Sequence, residues 1–376
     1  MNKIKRQSLL AMAAFGLAFG LAACGDDSSS SSEPEVEVSL TGAVFTSDYQ
    51  TGELRWIDKE GKISEKSLEF YQNSKVIANK GMLYVLEGIG TDNISQVDPE
   101  KLESETKKAV NWQVSLDEGS NPADMAFDGS EAWVALQAAD SLIKISTTDG
   151  KIVKSIKLKG FASKGESAPY VADIELDDGN LYVLMQRYSM DAATWATTYP
   201  KGLLAIYDAS SGKLQDTIQL ETQNPMNLLL ADGELYVATH GEYTANGTDA
   251  DDKRGIEKVD LDKKKSELYI AGEDMNGGIS FATVEDGDVY AVIDQGYDPV
   301  TYAAITELKK INLSSKNVKK VKDVADASGS LAVKNGVLYI GDRTFGAEAI
   351  VVVEEDKATS TKMPKGALAP YSIALF

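Results

Sequence analysis

The stretch Asp232 to Thr239, "DGELYVAT", decides the fold. An Asp-Gly pair makes a tight turn, and the residues after it alternate as a half-buried strand does. Tyr236 and Val237 suit a pleated, packed surface. The same phrase returns along the chain. "NKGMLYVLEG" places Tyr84 in the aromatic slot, "FDGSEAWVAL" places Trp133, "DDGNLYVLMQ" Tyr182, "EDGDVYAVID" Tyr290 and "KNGVLYIGDR" Tyr339. A copy without the turn, "TGAVFTSDYQ", places Phe45 there. Successive aromatics stand 39, 49, 49, 54, 54 and 49 positions apart. A period of that size indicates a solenoid or a propeller.

The remainder of each unit separates the two. Before the aromatic strand runs an apolar segment, such as "NPADMAF", "PYVADIEL" or "NPMNLLL". After it come two more strands joined by a polar turn, as in "SLIKISTTDGKIVKSIKL" and "LLAIYDASSGKLQDTIQL". Four short antiparallel strands per unit, with no amphipathic helix pattern between them, describe a propeller blade. The first unit lacks its leading segment and begins at about Thr41. The last residues, "APYSIALF" (369–376), match that missing segment. The expectation is therefore an all-β, seven-bladed β-propeller over residues 41–376, four antiparallel strands per blade, closed by the C-terminal strand joining the N-terminal blade. A stacked pair of β-sandwiches is the alternative.

Residues 1–23 read as an export signal. Lys3, Lys5 and Arg6 precede an apolar run from Leu9 to Ala23 that is too short for a stable span. The run ends in "LAAC", which resembles the lipobox of bacterial lipoproteins and implies that Cys24, the only cysteine, carries the lipid. Residues 24–40, with "GDDSSSSSEPEVEVS", form a serine-rich acidic tether. Asp26 and Asp27 also resemble the acidic export signals of some surface lipoproteins. The expected location is the bacterial cell envelope, at the outer membrane and surface-exposed rather than periplasm-facing, with attachment by lipid and the protein a monomer. The formal net charge is −20, and −23 without residues 1–23. Such a chain repels phosphate backbones, so nucleic acid is not expected as a partner.

Loops between second and third strands leave from one face, and the insertions collect there. They supply Tyr188, Trp195 and Tyr199 from blade four, Tyr243 from blade five, and Tyr297 and Tyr302 from blade six. Flat apolar rings with polar tips suit a sugar ring, a macrocycle or a protein partner, or else pack their own loops. Nine positions before each anchor aromatic stand Lys75, Asp124, Asp173, Asn227, Phe281 and Ser330, with Ser372 the counterpart in blade one. These predict a mostly polar ring at the channel mouth, acidic towards blades three and four. A polar floor with aromatic walls describes a small-molecule pocket, although channel residues are also polar merely because they are solvated.

Catalytic signatures are sparse. The one histidine, His240, sits at the end of the blade-five strand facing the loop-rich side, where it is a candidate ligand contact, and a single histidine excludes multi-histidine metal sites. No nucleophile elbow, haem motif or phosphate-cradling glycine loop is present. Asp249, Asp251 and Asp252 in "GTDADDK" lack calcium-loop spacing. No cofactor is expected. Calcium is the one ion left open, and in a lactonase-like enzyme Asp124, Asp173 and Asn227 would hold it.

The "DGxLYV…IDxxTGK" blade resembles the YncE-like and surface-layer-type seven-bladed propellers, a branch of the YVTN, quinoprotein-like group. The resemblance covers all seven blades and implies a fold more than a function. Family members are mostly without demonstrated catalysis. Some surface lipoproteins of this build capture corrinoids such as cobalamin for an outer-membrane transporter. The expected function is a non-catalytic, lipid-anchored binding protein that takes a small molecule, a corrinoid among them, or a glycan on the loop-rich face. An envelope protein scaffold and a lactonase-like hydrolase with a channel metal are the alternatives.

Overall fold

The structure, a computed structural model, describes residues 38–376 except 89, 195, 244–252, 299–303 and 322–323. It contains seven four-stranded antiparallel sheets arranged as the blades of a ring. Blades two to seven begin with inner strands at Ser74–Asn79, Pro122–Asp128, Val171–Asp177, Pro225–Ala231, Gly278–Glu285 and Leu331–Lys334. The repeated aromatics lie on the second strands. Trp133 and Phe45 are fully buried, Tyr84, Tyr182, Tyr236 and Tyr290 nearly so, and Tyr339 half-buried. Burying rings of this size between blades adds a large apolar area to the aliphatic core of each repeat.

The turns explain why the phrase repeats. In blade five Ala231 pairs with Glu234, so Asp232 and Gly233 are the two central residues, at φ 51° and 77°. Two left-handed residues make a type I′ turn, whose twist matches that of the flanking strands. Lys80-Gly81, Asp178-Gly179, Asp286-Gly287 and Asn335-Gly336 have the same conformation.

Blade one is closed as the repeat pattern predicts. Its sheet runs Leu68–Phe70, Gly52–Asp58, Leu40–Ser47, Pro370–Leu375 from rim to centre. Val44 pairs with Ile373 and Phe45 with Ser372. The closing strand is gripped from both sides. Ser372 Oγ accepts a hydrogen bond from the Val76 amide of blade two at 3.1 Å. From blade seven the Arg343 guanidinium donates to the Pro370 carbonyl at 2.6 Å and to the Ser47 carbonyl at 3.2 Å.

Inner strands run from the loop-rich face to the plain face, and second strands run back. Leu40 therefore stands on the plain face. That face is less uniform than the short turns suggest. In blade two a helix, Pro99–Ser104, and a 3-10 turn, Thr106–Lys108, separate the third and fourth strands. Asp98 caps the helix by accepting from the Glu100 amide at 3.1 Å, and Pro99 opens it. The segment is too short to show helical periodicity. On the opposite face the blade-four loop forms a small hairpin, Ser189–Met190 with Thr197–Thr198. Asp191 fixes its turn by accepting from the amides of Ala193 and Thr194. In blade six the second and third strands extend beyond the sheet until Tyr297 pairs with Ala304.

Deleting residues 370–376 removes the inner strand of blade one and leaves a raw strand edge at Leu40–Ser47. The expected result is loss of the cooperative thermal transition, partly restored by adding a synthetic 369–376 peptide in trans. A truncated chain that melts cooperatively at the wild-type temperature contradicts the closure.

Candidate functional site

The mouth of the channel on the loop-rich face opens into a cavity of about 510 Å³. All seven blades contribute to its lining, which is what the seven-fold arrangement of inner strands produces. Five of the seven ring positions line it, namely Lys75, Asn227, Phe281, Ser330 and Ser372. Three tyrosines stand around it: Tyr243 from blade five, Tyr297 from blade six and Tyr371 from blade one. Tyr243 is 46% exposed and Tyr297 60%. Met226 and Val292 add apolar surface, and Gln137, Ser280 and Thr306 add uncharged polar groups.

The remaining ring positions, Asp124 and Asp173, are not among the lining residues and join blades instead. Asp124 Oδ2 meets the Ile174 amide of blade four at 3.5 Å, and Asp173 Oδ2 accepts from the Leu228 amide of blade five at 2.8 Å. Asn227 Oδ1 accepts from the Ala282 amide of blade six at 2.8 Å. With Ser372 and Val76, these are one repeated bond: the ring side chain of one blade caps the amide that follows the ring position of the next. Lys75 has no acceptor to offer. It donates to Asp124 Oδ1 at 2.8 Å and so ties blade two to blade three by charge.

The electrostatics follow from this packing. Burial works to raise the pKa of Asp124, but the Lys75 ammonium and hydrogen bonds from Asp173, Lys75 and the Ile174 amide hold it below the usual carboxylate range. Asp173 goes the other way. Burial, and the neighbouring Asp124 charge with which it shares a hydrogen bond, push it well above that range. Of the two carboxyls, Asp173 is therefore the one that holds a proton more readily. Burial lowers Lys75, yet the charges of Asp124 and Asp173 override it and raise the ammonium pKa. Glu175, further down the same strand, is pushed up to about 7 by burial and by Asp124.

The aromatic loops join in a line. Tyr170 stacks on Tyr188 with ring centroids 3.8 Å apart. Tyr188 and Tyr199 are 5.8 Å apart, and Tyr199 and Tyr243 6.2 Å. Tyr243 lies 4.0 Å above His240 in a stacked arrangement. His240 is completely buried beneath it, so it supports Tyr243 rather than facing a ligand. Its Nδ1 donates to the Gly241 carbonyl, and its Nε2 lies 3.1 Å from Asp294 Oδ2. Gly278 permits this burial, because a Cβ there would come within 2.3 Å of the His240 carbonyl oxygen. Burial in the loop wall, then Asp294 and the Tyr199 and Tyr297 hydroxyls, raise the Tyr243 phenol. It therefore remains an O–H donor at neutral pH.

Tyr188, Tyr199, Tyr243 and Tyr297 thus gather on one side of the mouth. Trp195, Tyr302, Asp249, Asp251 and Asp252 lie outside the described residues, as does Cys24. Among the described residues no group of three or more His, Cys, Asp or Glu side chains is placed to hold a metal ion. No helix among them is long and apolar enough to cross a membrane. Sequence reasoning did not single out Tyr371, Tyr170 or Met226. Tyr371 and Met226 each precede a ring position, and that adjacency is the signal that could have found them.

No family model matches the chain, and no curated protein matches it in sequence. Solved structures match it in fold. Apo AztD from Citrobacter koseri superposes with a TM-score of 0.53 at 10% identity, over 90% of this chain and 98% of that one. A putative 6-phosphogluconolactonase from Bacteroides fragilis gives 0.53 at 13% identity, over 89% and 97%. Kuenenia stuttgartiensis hydrazine synthase gives 0.51 at 14% identity, over 74% and 75%. At these identities the likeness is one of fold, the seven-bladed propeller.

Glu175 provides a pH test of the channel. The folded protein keeps this proton up to about pH 7, whereas the unfolded chain releases it near 4.5. Stability therefore falls as pH rises through that window. Glu175→Gln keeps the neutral form at every pH. It is expected to exceed wild type by about 1–3 kcal/mol at pH 8, with the difference vanishing towards pH 4, in denaturant titrations. An equal difference at both pH values contradicts the assignment.

Proposed function

We propose that this chain is a binding propeller of the bacterial cell envelope that captures a small uncharged molecule at the channel mouth, held to the membrane by a lipid on Cys24. The observation that carries the reading is the cavity of about 510 Å³, to which every blade contributes and over which three tyrosines stand. Its volume lies in the range of ligand pockets, and its lining combines aromatic surface with a few convergent polar groups. Hydroxyl and amide side chains outnumber charges there. Lys75 is already paired with Asp124, and Asp294 Oδ1 accepts from the Gly296 amide. A neutral, polar molecule with an apolar face is the matching ligand. A monosaccharide or disaccharide fills such a space, whereas a corrinoid would rest across the rim, on Tyr243, Tyr297 and Tyr371.

The binding reading is preferred over hydrolysis because Asp124 and Asp173, the residues a lactonase-like enzyme would recruit, are committed to blade joints. The Bacteroides fragilis neighbour, named for 6-phosphogluconolactonase activity, supports the hydrolase alternative only through a shared fold. Leu40 lies on the plain face, opposite the cavity, so an N-terminal tether leaves the loop-rich face open. A lipid anchor and the YncE-like resemblance agree with this arrangement.

Two measurements test the proposal. A thermal-shift panel of mono- and disaccharides, corrinoids and small lactones is expected to yield at least one ligand that raises the melting temperature by mass action. Tyr243→Ala and Tyr371→Ala should each weaken that ligand about tenfold or more, with no product formed on long incubation. Turnover lost in Asp173→Asn would favour the hydrolase instead. Separately, Cys24→Ala should move the protein from the detergent phase to the aqueous phase, and retention in detergent would remove the lipid anchor from the proposal.

A further inference from the structure

The cavity does not end the aromatic surface. Beyond Tyr243 the line continues outward through Tyr199, Tyr188 and Tyr170, with successive centroids 6.2, 5.8 and 3.8 Å apart. Across the mouth, Tyr371 has Tyr49 packed edge-on against it at 5.9 Å, and Tyr49 is 64% exposed. Six tyrosines from blades one, four and five therefore form two arms that meet at one cavity.

Both arms are held in place from behind. The Tyr170 hydroxyl donates to Glu166 Oε2 at 2.9 Å, while Glu166 Oε1 accepts from the Met190 amide of the blade-four hairpin at 3.1 Å. Arg187 Nε donates to the Phe161 carbonyl at 3.0 Å. The Gln223 side-chain amide donates to the Tyr199 carbonyl at 2.5 Å. On the other arm the Arg343 guanidinium lies 4.9 Å from the Tyr49 ring and 5.7 Å from the Tyr371 ring. Surface fixed in this way loses little conformational entropy on binding. It also extends well past what a ligand of cavity size can touch.

We infer that this face is a track for a chain-like, neutral glycan, one end of which enters the channel-mouth cavity while successive sugar rings lie on Tyr243, Tyr199 and Tyr188. The inference rests on the cavity being a binding site and adds the length and class of the ligand. Tyrosine suits the task because its flat face packs on the C–H face of a pyranose while its hydroxyl reaches the ring substituents. Burial raises the phenol pKa of Tyr188 and Tyr199, so both keep their protons as donors. The formal charge of −20 disfavours acidic polysaccharides and nucleic acids. A peptide added as a strand would need a row of unpaired backbone groups, and the track is a row of tyrosine side chains, tilted by 52° and 55° from one to the next between Tyr188, Tyr199 and Tyr243. A proline-rich peptide also stacks on aromatic rings and is the competing occupant.

The test uses the full-length chain and three neutral series, cello-, malto- and chito-oligosaccharides of two to six sugars, titrated calorimetrically. In at least one series affinity is expected to rise about tenfold or more from dimer to hexamer, as further stacked rings would give. Tyr188→Leu and Tyr199→Leu keep apolar bulk but lose the flat face. They should abolish the gain with length and leave dimer affinity unchanged. Tyr371→Leu, in the cavity, should weaken dimer and hexamer alike, and unchanged melting temperatures establish that the variants fold. Affinity independent of length overturns the track and leaves the cavity reading standing. So does failure of all three series when a small molecule binds in a Tyr243-dependent way. Tyr188-dependent binding of a decaproline peptide, with no glycan binding, overturns the glycan in favour of a peptide. Absence of any ligand, large or small, overturns both.

Discussion

A propeller must hold seven nearly independent sheets at a fixed angle around a hole, where no core can form. Here a single kind of hydrogen bond does much of that work. At four joints a side-chain oxygen near the start of an inner strand caps a backbone amide of the next blade. Ser372 does so for Val76, Asp124 for Ile174, Asp173 for Leu228 and Asn227 for Ala282. Inner strands have an unpaired edge towards the channel, and an orphaned amide there is costly. The bond satisfies that amide and sets the spacing of the blades together. Two of the other three joints are made differently. Lys75 cannot accept, so blades two and three are joined by an ion pair with Asp124. Phe281 cannot accept either, and it packs with Tyr290, Val292, Leu331 and Ile340 across the joint between blades six and seven.

This accounts for the unequal yield of the sequence. Blade number, strand order and ring closure were legible because each depends on a local chemical pattern: an Asp-Gly type I′ turn, a buried aromatic and a terminal fragment that completes the first repeat. The ring at nine residues before each aromatic was legible as a set of equivalent positions, because the repeat is regular. Its division of labour was not. Whether an aspartate points into a cavity or at a neighbouring amide depends on a blade that lies some fifty residues further along the chain. His240 illustrates the same limit. Its position at a strand end suggested an accessible side chain, yet the approach of Gly278 and the lid formed by Tyr243 bury it completely. Tyr371 was hidden for another reason, because it reaches the site only once the chain has closed on itself.

The site has a corresponding division. Lys75, Asp124 and Asp173 are tied to one another at the blade joints, with the Asp124 carboxyl held down by the Lys75 ammonium and the Asp173 carboxyl pushed up by burial and by Asp124. Hydroxyl, amide and aromatic side chains make up most of the polar and flat surface of the mouth cavity. Under the proposed binding role, keeping the charges in the joints would leave recognition to shape and uncharged hydrogen bonds, which vary little with salt.

The closing strand also has a kinetic side. Val44 finds its partner in Ile373, on the far side of nearly the whole sequence. Contacts of such separation form late, since the loop entropy must be met before the contact rewards it. A chain emerging vectorially, from a ribosome or through a translocation pore, can assemble blades two to seven one after another. It cannot finish blade one until residues 370–375 are free. Closure of the ring is thereby a late event in folding, and a molecule cut short of residue 370 is left with an open edge that proteases and chaperones recognise.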